Sequence, residues 1–163
     1  MRGQLWSFDM AASVLMFFTA FMAFMFAWNY IAMQNSQDME IRRMTDSAMM
    51  VSDQMVRTAG IPGDWTYSTV SSLGLASGDN VLNATKLGEL LNLGYGQAKA
   101  MLGLAEYEML VEVMYVNGTI VSAGGSPVIY GSLPSAARLV VPVERYALLD
   151  SNIVKLDLTL WSA

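Results

Sequence analysis

Few side chains in this sequence can do chemistry, and nearly all of those are carboxylates. Histidine and cysteine are both absent, which removes imidazole bases, His- or Cys-ligated zinc, haem ligation, disulfides and thiol nucleophiles together. Acids gather locally only at Glu106, Glu108 and Glu112. Two-residue spacing places them on one face of a strand, and a solvated strand face accounts for them better than a catalytic pair. Gly94-Tyr95-Gly96 lacks both the third glycine and the preceding strand of a phosphate-cradling loop. The expectation is therefore no catalytic residue, no metal ligand and no cofactor. Nucleic acid is not expected as a partner, because the net charge is −5 and the nine Lys and Arg form no basic run, whereas phosphate binding draws on clustered cations. Two triplets carry a different chemistry. Asn83-Ala84-Thr85 and Asn117-Gly118-Thr119 are sequons, so Asn83 and Asn117 are candidate N-glycan acceptors if the domain is extracellular.

The elements that position these residues begin with an apolar run. From Met10 to Gln37 no residue is charged, which exceeds the ~20 residues that a helix needs to cross a bilayer core. Phe17, Phe18, Phe21, Phe24 and Phe26 are interspersed with methionines on every side of the helix. A helix that is apolar all round needs lipid or protein all round. Val14, Leu15 and those five Phe alone favour insertion by about 2 to 4 kcal/mol. A secretory peptide fits less well, since its apolar core is shorter and ends at a small-residue cleavage site, and none follows this run. Arg2 and the amino terminus on one flank, against Asp38 and Glu40 on the other, orient the N-terminus toward the cytoplasm and place the rest outside the cell.

Past the run the pattern narrows to one stripe without a break. No Pro or Gly lies between Gln4 and Gly60, and Ile41, Met44, Ala48, Val51 and Met55 recur at three- and four-residue steps. The spacing predicts one helix from about Ser7 to Thr58, about 78 Å long, with Asp38–Arg42 and Asp53–Arg57 as i,i+4 ion pairs. Gly60-Ile61-Pro62-Gly63-Asp64-Trp65 terminates it. About 125 residues follow the apolar helix, enough for one domain with its own core. After a loop-rich stretch to Asn80, two short helices are expected at about 83–93 and 95–103. From Tyr107 the period drops to two. Asn117-Gly118 predicts a hairpin to Thr119–Ala123. A second pair, Arg138–Leu148 and Ile153–Trp161, joins at Asp150-Ser151-Asn152, with Val154, Leu156, Leu158 and Leu160 inward and Pro142 marking an edge or bulge. The fold class is α+β: a long N-terminal helix, apolar then amphipathic, packed on a small antiparallel β-rich domain. The expected organisation is residues 1–3 as a leader, 4–37 as a transmembrane or filament-core helix, 38–59 as its amphipathic continuation and 60–163 as an extracellular globular domain.

Arg2-Gly3-Gln4, the nearby Ser7 and Asp9, the uninterrupted apolar helix and the small β-rich domain together resemble archaeal type IV pilins and pilin-like proteins with a class III signal peptide. The stretch Gly60 to Trp65, then Gly74-Leu75-Ala76, Leu82-Asn83, Lys86, Leu90, Tyr95, Lys99 and Leu102-Gly103-Leu104, is similar to the body of such proteins, so the resemblance covers residues 1 to about 116. It implies cleavage by a prepilin peptidase between Gly3 and Gln4, with the helices of many copies packing into a filament core. The implied partners are copies of this chain, other pilins, the prepilin peptidase and the assembly machinery, with the membrane holding the helix before assembly. One feature departs from the family. Its acid usually stands fifth in the mature chain, where it meets a neighbour's amino terminus. Here Phe8 is fifth and Asp9 sixth, about 100° further round the helix. Two readings of Ser7 and Asp9 stay open: an intersubunit contact, or a local role in which Ser7 caps the helix and Asp9 sits at its positive dipole end. Phe17, Phe21, Phe24 and Trp28, at steps of four, three and four, form one side of the helix and are the expected core-packing residues. The resulting expectation is a non-enzymatic structural subunit, major or minor, of a surface filament serving adhesion. The alternative is a single-pass anchored extracellular binding protein that never polymerises.

Overall fold

The computed structural model describes residues 3–162, and for residues 3–7 and 34–38 the backbone only. It has the expected α+β class, with elements α1 (Gly3–Arg57), β1 (Ala76–Gly78), β2 (Val81–Leu82), α2 (Ala84–Asn92), α3 (Tyr95–Met101), β3 (Glu108–Tyr115), β4 (Ser122–Ala123), β5 (Ser126–Pro127), β6 (Ile129–Gly131), β7 (Leu139–Leu149) and β8 (Asn152–Ser162). Two compact units divide at Glu40: Met1–Glu40, whose described residues all belong to α1, and Ile41–Ala163. The amphipathic part of α1 thus belongs with the residues after Gly60.

In the second unit Met44, Ala48, Val51 and Met55 are buried to 2% exposure or less, four of the five positions that the i,i+3/i+4 spacing marks, while Ile41, the first of them, is 42% exposed. They share one core with Leu87 and Leu90 of α2, Ala98 of α3, and the inward residues of the sheet. The six-stranded sheet runs β1-β2-β7-β8-β3-β6, with β4–β5 as a separate ribbon. Period-two alternation sets its faces. Val154, Leu156, Leu158 and Leu160 of β8 and Met109, Val111 and Val113 of β3 are fully buried. Asp150 and Ser151, both at positive φ, make the tight turn between β7 and β8. Pro142 sits on β7 opposite Thr159, where β7 has no neighbour on its other side because β2 reaches only Leu148. This is the edge position that its missing N–H demands.

Three local expectations are corrected. The Asn117-Gly118 turn forms, with Tyr115 N–H donating to Thr119 O and Val121 N–H to Val113 O, both at 2.8 Å, but the return segment forms no strand on β3 beyond the isolated Met114–Ile120 bridge. Gly124 and Gly125, both left-handed, turn the chain back at once to make β4–β5, so β6 takes the rest of that edge of β3, while β8 pairs along the whole of its other edge. Asp53 and Arg57 do not pair with each other. Asp53 meets Arg145 of β7 at 3.1 Å and Arg57 meets Asp79 at 3.7 Å, since tertiary partners reach them from the sheet side. Of the Asp38–Arg42 pair, the Asp38 side chain lies outside the described residues. Finally, α1 reaches back to Gly3, so Ser7 lies inside the helix rather than at its cap, and no acid falls in the first described turn. Nothing in Gln4 to Trp6 breaks a helix.

The end of α1 is held by its surroundings. Gly60 has φ +79°, and a Cβ there would lie 2.6 Å from Ser72 O and 2.7 Å from the Trp65 ring. Trp65 is buried and donates from Nε1 to Gly74 O at 2.7 Å. Lys86, 4% exposed, donates from Nζ to Ala59 O at 2.7 Å and to Ala76 O at 2.8 Å. Its ammonium therefore sits at the negative end of α1 and closes the loop that follows it. Burial pulls the Lys86 pKa below the usual lysine value, with Asp64 opposing. Lys86→Met keeps the stem but strands two carbonyls, and should lower stability by about 1–3 kcal/mol. Urea unfolding of the full chain in detergent checks this, and an unchanged midpoint would refute it. A chain beginning at residue 36 keeps the whole Ile41–Ala163 core and should be soluble with a cooperative thermal melt by circular dichroism.

Candidate functional site

Two groups of residues stand out once the fold is known: the surface of the N-terminal helix and a polar cluster on the domain. Phe8–Met33 forms one stretch of 26 residues with mean hydropathy 2.1, none of it buried within the structure. It is long and apolar enough to cross a membrane, as a membrane anchor or a signal sequence does. Three of its polar side chains bond to their own backbone. Ser13 Oγ donates to Asp9 O at 2.8 Å, Thr19 Oγ1 to Leu15 O at 2.8 Å, and Asn29 Nδ2 to Met25 O at 3.0 Å. Each bond lowers the cost of placing that group in an apolar surrounding.

The aromatic residues stand where their spacing places them. Phe17 and Phe21 stack at 6.2 Å and 15°, Phe24 and Trp28 lie at 6.2 Å and 31°, and all four are exposed. Phe18 abuts Phe17 edge-on at 6.0 Å. A different side of the helix carries a shallow groove over Ala12, Met16, Thr19, Ala20 and Ala23. The ring-bearing side and the groove, which Leu15 also lines, thus differ in side-chain size. The side chains of Gln4 and Ser7 lie outside the described residues, and Gly3 appears as the first described helical residue. Asp9 takes part through its carbonyl, which accepts from Ser13.

The two sequon asparagines have different surroundings. Asn83 caps α2, its Oδ1 accepting from Thr85 N–H at 2.9 Å and Lys86 N–H at 3.3 Å. Asn117 sits on the exposed turn after β3, with Oδ1 accepting from Thr119 N–H at 3.0 Å.

The sequence reading missed a cluster around Glu108. Tyr95 Oη donates to Glu108 Oε2 at 2.5 Å, Lys99 Nζ meets Glu108 Oε1 at 2.8 Å, and Tyr95 Oη lies 3.2 Å from Ser132 Oγ and accepts from Met109 N–H at 2.9 Å. The Lys99 ammonium also lies 5.6 Å from the centre of the Tyr95 ring. Glu108 is therefore a clasp between α3, β3 and the segment after β6. Of the three acids expected on a solvated strand face, it is drawn into the structure, Glu106 precedes the strand, and Glu112 stays on the open face. Tyr95 and Lys99 at i,i+4 on α3 were the available signal. Among the described residues no group of three acids could hold a metal. Compared with family models, curated proteins and solved structures, the chain matches none.

The Lys99 and Tyr95 hydrogen bonds hold the Glu108 carboxyl below its ordinary value, against burial. A depressed carboxylate pKa adds stability above the unfolded value, and that stability is lost as pH falls through the folded value. Melting temperature should accordingly drop below about pH 4.5 in the wild type, and Glu108→Gln should start lower at pH 7 and drop less. Parallel slopes for the two proteins would show that the clasp does not couple to folding.

Proposed function

We propose that this chain is a structural subunit, major or minor, of an archaeal type IV pilus-like surface filament, assembled through its N-terminal helix and serving adhesion. The observation that carries the reading is that Phe8–Met33 is apolar and exposed on every side, while the continuation of the same helix buries its own stripe in a domain core. The first part finds no cover within its own chain. In a membrane, acyl chains supply that cover. On extraction, only other apolar helices can, so assembly converts insertion into cohesion between copies. The aromatic ridge and the small-residue groove suit tight contact between helices better than contact with fluid lipid.

Prepilin peptidase would cut between Gly3 and Gln4, leaving the helix in the mature protein with its N-terminus cytoplasmic before assembly. Asp9 then approaches the new amino terminus of a neighbour, one residue beyond the family's usual place. The same span also fits a plain anchor for an outer domain that binds a partner, and its self-bonded Ser13, Thr19 and Asn29 suit lipid equally well.

Phe21→Ala separates the two readings. The rest of the apolar run maintains insertion, so membrane abundance should be unchanged. In a packed filament core the lost ring leaves a cavity worth roughly 3–5 kcal/mol per subunit, and sheared surface filaments should become scarce or melt earlier. Filaments of normal yield and thermal resistance would remove the packed-core role, and a wild-type chain that stays monomeric at the membrane would favour the anchor. Mass spectrometry of the native N-terminus tests processing, with Gln4 as the expected first residue and Gly3→Phe expected to leave the full-length chain.

A further inference from the structure

The apolar stretch is longer than a bilayer needs. Phe8–Met33 has 26 residues, about 39 Å of helix, whereas the hydrocarbon core of a bilayer is about 30 Å thick. Either part of the stretch lies outside the hydrocarbon or the helix tilts to bring all of it in. Three features mark the part that is left out. Asp9 is the one charged residue of the stretch, and a carboxylate belongs at the edge of the hydrocarbon rather than within it. Trp28, Asn29 and Tyr30 follow one another toward the other end, and both aromatic residues are exposed. The interval between these marks, Met10–Ala27, spans about 27 Å, close to one hydrocarbon thickness. The third feature is hydrogen bonding. Ser13 and Thr19, the hydroxyls of that interval, both donate to their own backbone. Trp28 sets its ring beside Phe24, but its Nε1 has no acceptor among the described residues. An indole N–H without a partner is costly in hydrocarbon, and at the interface it meets ester carbonyls and water, which is where Trp and Tyr gather. Residue 6 is also a tryptophan, about 33 Å before Trp28 along the helix, so the two positions fall at opposite interfaces of one bilayer.

We propose that the lipid headgroup layer seats on Trp28 and Tyr30, so that hydrocarbon covers Met10–Ala27 and the last turn of the apolar stretch, Ile31–Met33, stands outside it. Asp9 marks the opposite boundary. Tilting the helix to bury Ile31 and Met33 as well would carry the Trp28 N–H and the Asn29 amide into hydrocarbon, and an upright span avoids both costs. The proposal rests on the membrane-inserted stage of the filament reading and adds to it the place where lipid ends. Ile31 and Met33, 55% and 67% exposed within their own chain, are then the first apolar surface that a neighbouring copy can cover while Met10–Ala27 is still in the membrane.

The chain contains no cysteine, so one introduced thiol reports one depth. Full-length Ala12→Cys, Ala20→Cys and Ala32→Cys chains, in cell membranes sheared free of filaments and opened to both sides, are treated with N-ethylmaleimide and then denatured to count the thiols left. Only the thiolate reacts, and it forms in water rather than in hydrocarbon, so Ala32→Cys should react on the order of tenfold faster than the other two. If Ala32→Cys and Ala12→Cys are both shielded, lipid takes in the whole stretch. If Ala32→Cys is shielded and Ala12→Cys reacts, the span sits further toward Met33. Either result overturns this boundary and leaves membrane insertion standing. Equal reaction at all three positions overturns insertion itself, and with it the membrane stage of the filament reading. A second comparison tests the two aromatic residues. Without its outer anchors the span is free to slide, so Ala32→Cys should react several-fold more slowly when Trp28→Leu and Tyr30→Leu are added. An unchanged rate would show that these residues do not set the boundary.

Discussion

One constraint governs this molecule: a helix with no polar side cannot be left in water. At about 25 cal/mol for each Å² of apolar surface, the rings and thioethers of Phe8–Met33 represent a driving force that none of the described residues absorbs. A single-stripe helix is satisfied by one packing partner, as the segment from Ile41 to Arg57 shows. An all-round apolar helix needs a continuous apolar environment, either fluid or built from its own kind. Local sequence choices agree with that demand. Polar residues within the span return their hydrogen bonds to the helix backbone, and no Pro or Gly frees a backbone group along it.

The domain solves a different problem, the termination of a very long helix inside a small core. The last carbonyls of α1 and the loop after it would be costly if buried without donors. Met55 O and Thr58 O accept from Leu75 and Ala76 N–H, and Lys86 supplies an ammonium to Ala59 O. Trp65 fills the space beside Gly60 and bonds to Gly74. A lysine here is costly to bury, and its lowered pKa reflects that cost, yet it reaches two carbonyls on different segments that a shorter donor could not span. The Glu108 clasp plays the same part on the other side of the unit, drawing α3 onto the first residues of β3.

Features with a period were legible in the sequence. The break-free helix, its buried stripe, the two short helices and the β7–β8 hairpin all follow from patterns of 3.6 or 2, and Pro142 was legible as an edge marker because its lack of an N–H is absolute. What the sequence hid depends on partners distant in the chain. Tyr95 and Lys99 share one side of α3 at i,i+4, but that spacing does not name Glu108 as the acid they hold, and the i,i+4 arrangement of Asp53 and Arg57 suggested a pair that tertiary contacts replace with Arg145 and Asp79. Glu112, by contrast, stayed on the open face because β8 sets Asp157 opposite it and offers no donor. Gly124-Gly125 turns the chain away after Ala123, and nothing local shows that β6, from beyond that turn, takes the rest of the same edge of β3.

In the proposed filament the two parts of α1 would carry different tasks. An apolar helix packs strongly but with little preference for register, since methionine and phenylalanine contacts cost little to exchange for one another. Charged rows fix register and partner while adding little net affinity. A polymer held only by the first would be cohesive and poorly ordered, and one held only by the second would fall apart in salt. In the proposed filament one uninterrupted helix would carry both, apolar from Phe8 to Met33 and charged at Arg42, Arg43 and Asp46, so that cohesion and register would come from the same element.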